Sequence, residues 1–158
     1  VLNGKPLPVI WRRARAVSER QPKECQMPIT ALYAGLLAPL FMFLAFRVIG
    51  LRRGAKVAVG DGGDKALLRR MRVHANFAEY VPLALLLMAL AESLNTWPWV
   101  LHVTGLALLG GRLLHAYGMS QPQESFAFRV LGMTLTFSVI GAAAAACIIG
   151  AVARMLAQ

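Results

Sequence analysis

The stretch "RRMRVHANFAEYVP", residues 69–82, runs directly into "LALLLMALA", residues 83–91. The second piece is suited only to hydrocarbon or a protein core. The first carries Arg69, Arg70, Arg72, His74, Asn76 and Glu79, each of them costly in hydrocarbon. One continuous helix therefore has an oily half and a polar half, and something must offset the cost of the polar one.

The rest of the chain says which solvent surrounds that helix. The 158 residues are 58% hydrophobic and 15% charged, with a mean hydropathy of +0.57. A soluble domain carries about 25% charge. The apolar excess is concentrated in four runs: "ITALYAGLLAPLFMFLAFRVIG" (29–50), the opening motif with its apolar continuation (about 66–92), "WPWVLHVTGLALLGGRLLHAYG" (97–118) and "FAFRVLGMTLTFSVIGAAAAACIIGAVARM" (about 126–155). A spanning helix needs about 20 mostly apolar residues, and each run supplies them. A soluble four-helix bundle needs a polar outer face, which the first and fourth runs lack. The expected fold class is therefore an all-α integral membrane protein, a bundle of four transmembrane helices forming one domain over 27–158.

Residues 1–26 read differently. They hold six basic residues, two acidic ones and three prolines without an apolar period. They are expected to be a leader that is not native to the domain, or else a segment lying on the membrane surface. Cys25 lies in this basic segment and Cys147 among alanines in the fourth run, so neither a disulfide framework nor metal-ligand spacing is present.

The basic residues are asymmetric. Arg47, Arg52, Arg53, Lys56, Lys65, Arg69, Arg70 and Arg72 cluster between runs one and two, around the turn "GDGGD" (60–64), against "ESLNT" between runs two and three. Lys/Arg excess marks the cytoplasmic side. The helix 1–2 loop is thus expected in the cytoplasm and both termini opposite, with Trp97 and Trp99 as interface anchors at the far side. Ser120 and Gln123, with Pro122 between them, fit a capping box opening the fourth helix.

Arg72, Asn76 and Glu79 stand at i, i+4 and i+7, so they share one helix face, and Arg69 joins it one turn earlier. His74 lies about 200° from Arg72, off that stripe. Arg112 and His115 follow at i, i+3 in the third run, and Arg129 opens the fourth. Glu79 can neutralise one arginine and Asn76 can tie two helices together. Three arginines against one glutamate still leave positive charge at membrane depth. An anionic ligand entering from the cytoplasm would balance it, since guanidinium forks match carboxylates; snorkelling of Arg112 and Arg129 to the headgroups would relieve it as well. Ala107 with Gly111, and the run from Gly141 to Ala146, permit close helix contact. A protomer with a polar half needs a partner to hide that half from lipid, which points to a self-associated ring.

These residues resemble the helix-two signature of the MAPEG family, the membrane-associated proteins in eicosanoid and glutathione metabolism. Its pattern is Glu-Arg-x-x-Arg-Ala-His-x-Asn-Asp-x-Glu, and Arg69, Arg72, His74, Asn76 and Glu79 stand at matching positions. "GGRLLHAYG" is similar to the family's Arg-x-x-His in helix three, and "FAFRVLGMTLTF" to the arginine-led start of helix four. The resemblance spans about 27–155. Leu68, Val73 and Phe77 depart from the signature, Met119 and Met133 stand where several members have tyrosine, and Tyr117 is two residues out of phase. The pattern is closest to the compact bacterial branch, which implies a bacterial inner membrane.

The resemblance implies a left-handed four-helix bundle assembled as a homotrimer, with glutathione bound between protomers on the cytoplasmic half. Arg72, Asn76, Glu79 and His115 would hold the tripeptide, with Arg112 in support and Arg69 and His74 as further binding residues. Arg129 would stabilise the thiolate and so be the catalytic residue. The expected activity is transferase or peroxidase chemistry on lipophilic small molecules from the bilayer. The alternative is a non-catalytic membrane scaffold binding lipid or another anion. Transport is a poorer fit, because the midplane lacks paired charges. Nucleic acid is not an expected partner: without residues 1–26 the net charge of +10 falls to +6, and most of it hugs the membrane.

Overall fold

The computed structural model describes residues 27–121 and 125–157. The reading of residues 1–26 and the Pro122 and Gln123 part of the capping box lie outside them. The described chain is four helices: α1 (Pro28–Ala55), α2 (Lys65–Ser93), α3 (Pro98–Ser120) and α4 (Phe126–Leu156). The expected four-helix membrane bundle is what forms, with each helix within a few residues of its apolar run. α1, α2 and α4 are each long and apolar enough to cross a membrane. α3, with His102, Arg112 and His115 along its length, is not among them.

The first helix is longer than its apolar run because arginine is a good helix former. It continues through Arg52 and Arg53 to a left-handed C-cap at Lys56 (φ 55°), whose N–H returns to the Arg52 and Arg53 carbonyls. Cations in a last helical turn complement the helix dipole. Of the eight basic residues expected in a loop, only Lys56 lies in the 56–64 connection; the others are on helix ends. That connection turns through positive φ at Gly60, Gly62 and Gly63, and Asp64 then caps α2 by accepting from the N–H groups of Ala66 (2.7 Å) and Leu67 (3.3 Å).

The expected capping box does not open α4. Ser120 ends α3 instead, its hydroxyl donating to the Ala116 carbonyl, and Ser125 is the residue before α4 with no side-chain cap bond. A hydroxyl that bonds back one turn is already committed to its own helix.

α2 and α3 lie at the centre: each packs against both α1 and α4, whereas α1 and α4 do not touch among the described residues. The core is Leu37 and Leu44 of α1, Val73, Phe77, Val81, Ala84 and Met88 of α2, Leu108 of α3, and Val139 and Ala143 of α4. The outer faces are as apolar as the core. Only 22% of the apolar window of α1 and 17% of that of α4 is buried, leaving Leu36, Phe43, Phe46, Phe137 and Ile148 exposed. Lipid is the solvent that suits such a surface.

α3 and α4 pack most closely, through glycine. A Cβ on Gly132 would fall 2.5 Å from the Gly111 carbonyl oxygen, and one on Gly118 would fall 2.9 Å from Phe128. Gly111 thus serves the close contact expected of it, against α4. At Gly141 a Cβ would meet nothing within 4 Å among the described residues of one protomer.

At the apolar end of the bundle the first turn of α1 has no cap of its own. The Glu92 carboxylate at the end of α2 accepts from the N–H groups of Ile29 (2.9 Å) and Thr30 (2.8 Å). Orphan N–H groups and the dipole both favour an anion there. Tyr33, 3% exposed, donates to the His102 carbonyl at 3.1 Å, and Arg154 donates to the Ser93 carbonyl at 2.7 Å.

Two outcomes follow for stability in detergent. Glu92→Ala should lower it by about 1–2 kcal/mol, the cost of a lost cap. Gly132→Ala should lower it by about 1–3 kcal/mol through overpacking against backbone, while Gly35→Ala, where a Cβ meets nothing within 4 Å, should leave it unchanged. Thermal unfolding of the three variants measures both.

Candidate functional site

The i, i+4, i+7 stripe of α2 faces an open cavity of about 310 Å³ formed with α3 and α4. Its lining is Arg72, Ala75, Asn76 and Glu79 from α2, His115 and Met119 from α3, and Arg129 from α4. Five of the residues singled out in the sequence therefore meet in one place, from three helices. Arg72 and Glu79 are exposed at its mouth, and neither has a hydrogen bond or ion pair with another described residue. Glu79 does not neutralise an arginine among the described residues. Arg129 is half-buried, with its guanidinium carbon 5.8 Å from the centre of the Phe126 ring. His115 is 6% exposed, and its Nδ1 lies 3.5 Å from the Arg129 carbonyl, so α3 and α4 are joined at the cavity wall.

Arg112 sits behind that wall. It is 1% exposed and does not snorkel. Its Nη1 donates to Asn76 Oδ1 at 2.7 Å; its Nη2 reaches the Thr136 hydroxyl, the Gly132 carbonyl at 3.4 Å and Met133 Sδ at 3.5 Å. Asn76 ties α2 to α3, as its position suggested. Sequence reasoning passed over Gly132 and Thr136. Their signal was spacing: Thr136 is four residues beyond Gly132 and seven beyond Arg129, on the same face of α4.

Arg69 and His74 lie elsewhere. Arg69, one turn nearer the α1–α2 connection, lines a smaller cavity of about 120 Å³ with Arg47, Arg70, Ser120 and Met119, the last shared with the main cavity. There Arg47 donates to the Ser120 hydroxyl at 2.6 Å and Arg70 to the Arg47 carbonyl at 3.3 Å. His74 follows its angular offset to the opposite side of α2. It stacks on Phe41 with ring centres 4.8 Å apart and lines a largely apolar groove of about 430 Å³ between α1 and α2, with Val48, Ile49, Arg52 and Met71. Within one protomer it cannot reach a ligand held by Arg72. Tyr117 is exposed and packs edge-on against Phe128, away from the cavity.

A family model described as MAPEG family matches residues 30–149. Inner membrane protein YecN of Escherichia coli strain K12 is 40% identical over 112 residues, covering 71% of this chain and 84% of YecN; the same protein from an O6:H1 strain matches equally. The match runs through all four helices and every residue of the cavity, and the chain belongs to the MAPEG family.

Proposed function

We propose that the cavity binds glutathione, and that the chain is a membrane-embedded, glutathione-dependent transferase or peroxidase acting on lipophilic electrophiles. The observation that carries this reading is the pair of opposite charges at the mouth. Arg72 and Glu79, seven residues apart on one face of α2, are both exposed and both without a partner among the described residues. Such a pair suits a ligand with groups of both signs. Glutathione has two carboxylates, an ammonium and a thiol. Arg72 matches a carboxylate with its fork, Glu79 accepts from the ammonium, and Arg129 favours the thiolate over the thiol. The thiolate is the nucleophile.

The site is completed by a second copy, in a homotrimer. Arg52 Nε and His74 Nε2 are buried without partners, and both residues line the α1/α2 groove. A ring sets one face of each protomer against a different face of the next. The groove of one copy then closes the cavity of its neighbour, bringing His74 to the ligand and an apolar wall to the lipophilic substrate. The location is a bacterial inner membrane, as the relatives' name suggests, with the α1–α2 connection in the cytoplasm beside the basic helix ends. A second reading, a scaffold that holds lipid or another anion without chemistry, draws on Met119, which lines the cavity and offers a thiolate no hydrogen-bond donor.

Titrating glutathione into detergent-purified protein should give a saturable ultraviolet thiolate signal near neutral pH. At about 100 times Kd the ligand should add about 2.7 kcal/mol of stability by mass action. Arg129→Ala should remove the thiolate signal while the trimer persists in sedimentation, and His74→Ala should weaken binding although His74 lies outside the protomer's own cavity. An absent signal with no thermal stabilisation would overturn the glutathione reading, and a thiolate retained in Arg129→Ala would overturn the role of that residue.

A further inference from the structure

A guanidinium donates hydrogen bonds and accepts none, so the amide atom that faces Arg112 has to be oxygen. Nη1 of Arg112 meets Asn76 Oδ1 at 2.7 Å, which sets the amide in one of its two orientations with the NH₂ turned away. That NH₂ has no partner among the described residues and is not sealed from its surroundings, and Asn76 lines the cavity. On its other side Arg112 is anchored to α4 by the Gly132 carbonyl and the Thr136 hydroxyl. Thr136 in turn donates to the Gly132 carbonyl at 2.9 Å, so the anchor is itself fixed. The guanidinium cannot turn away without leaving its own buried N–H donors unpaired.

We propose that Arg112 is a positioning residue that never touches the ligand: it holds the Asn76 amide with its N–H donors toward the cavity, so that the wall between Arg72 and Glu79 selects a carboxylate of the bound molecule. This deepens the glutathione reading and rests on it. Asn76 is four residues after Arg72 and three before Glu79, so the amide lies between the cation and the carboxylate. With NH₂ outward it extends the donor surface of Arg72, and the ligand is oriented with its carboxylate toward Arg72 and its ammonium toward Glu79. With the amide reversed, its oxygen would stand beside Glu79 and repel the same carboxylate.

A purely structural tie between α2 and α3 makes a different forecast. Asn76→Asp keeps an acceptor for Arg112, and a charged one, but removes the donor that faces the cavity. This variant should melt like the wild type and bind glutathione about ten- to a hundredfold more weakly. Arg112→Met and Asn76→Ala should each weaken binding, and the double variant should bind no more weakly than Asn76→Ala, because Arg112 acts through Asn76. Wild-type affinity in Asn76→Asp, or additive losses in the double variant, would overturn the proposal. A ligand-free readout stands beside these: in spectra of protein labelled at asparagine nitrogen, Asn76 should show one sharp side-chain NH₂ pair that broadens or splits in Arg112→Met. An unchanged pair in the folded variant would also overturn it. Wild-type protein that binds no glutathione would sink the functional reading alone, and the spectra would still decide the role of Arg112.

Discussion

Arg112 brings a full positive charge into the middle of a helical bundle where no carboxylate meets it among the described residues. Burying an ion costs several kcal/mol unless its hydrogen bonds are made. Much of the polar half of the structure is arranged around that requirement. Asn76 supplies an oxygen from α2, and Thr136 and the Gly132 carbonyl supply two from α4. These acceptors come within reach only because Gly111 and Gly132 let α3 and α4 approach at backbone distance. The same contact brings His115 and Arg129 together and forms one wall of the cavity. The close helix packing, the buried cation and the cavity wall are therefore one physical arrangement.

The two ends of the bundle solve opposite problems with the same chemistry. At the apolar end the need is to satisfy backbone groups left open near helix ends. Glu92, Tyr33 and Arg154 do this with single side chains that join neighbouring helices. At the polar end the need is to hold many arginines close together without mutual expulsion. Their guanidinium groups find carbonyl and hydroxyl oxygens: Arg47 on Ser120, Arg70 on the Arg47 carbonyl, Arg52 on the Ala58 carbonyl. The cavity lies at this end, where Arg112 behind its wall is held by fixed acceptors and Arg72 at its mouth has no partner among the described residues.

The chain belongs to the MAPEG family, and five of the residues singled out by the resemblance line one cavity. The departures sit in the cavity wall, against Arg112 and in the core. Met119 is in the cavity wall, Met133 touches Arg112, and Phe77, in place of the signature's aspartate, is buried in the core at 5% exposure. A buried aspartate at that position would need partners of its own, and Phe77 instead packs against Phe41.

Composition and periodicity alone determined the number of helices, their approximate bounds and their membrane solvent, because apolar runs of spanning length have few other stable fates. Helical spacing was enough to place Arg72, Asn76 and Glu79 on one face and to set His74 apart. Three features needed the tertiary structure. Arg112 faces inward rather than toward headgroups, which depends on acceptors from two other helices. Glu92 caps α1 from 62 residues away, a relation no local pattern encodes. Ser120 ends α3 and receives Arg47 instead of opening α4, because its hydroxyl found a nearer carbonyl in its own helix. Local patterns report what each residue tolerates; which partner it takes is settled by the packing of helices distant in the chain.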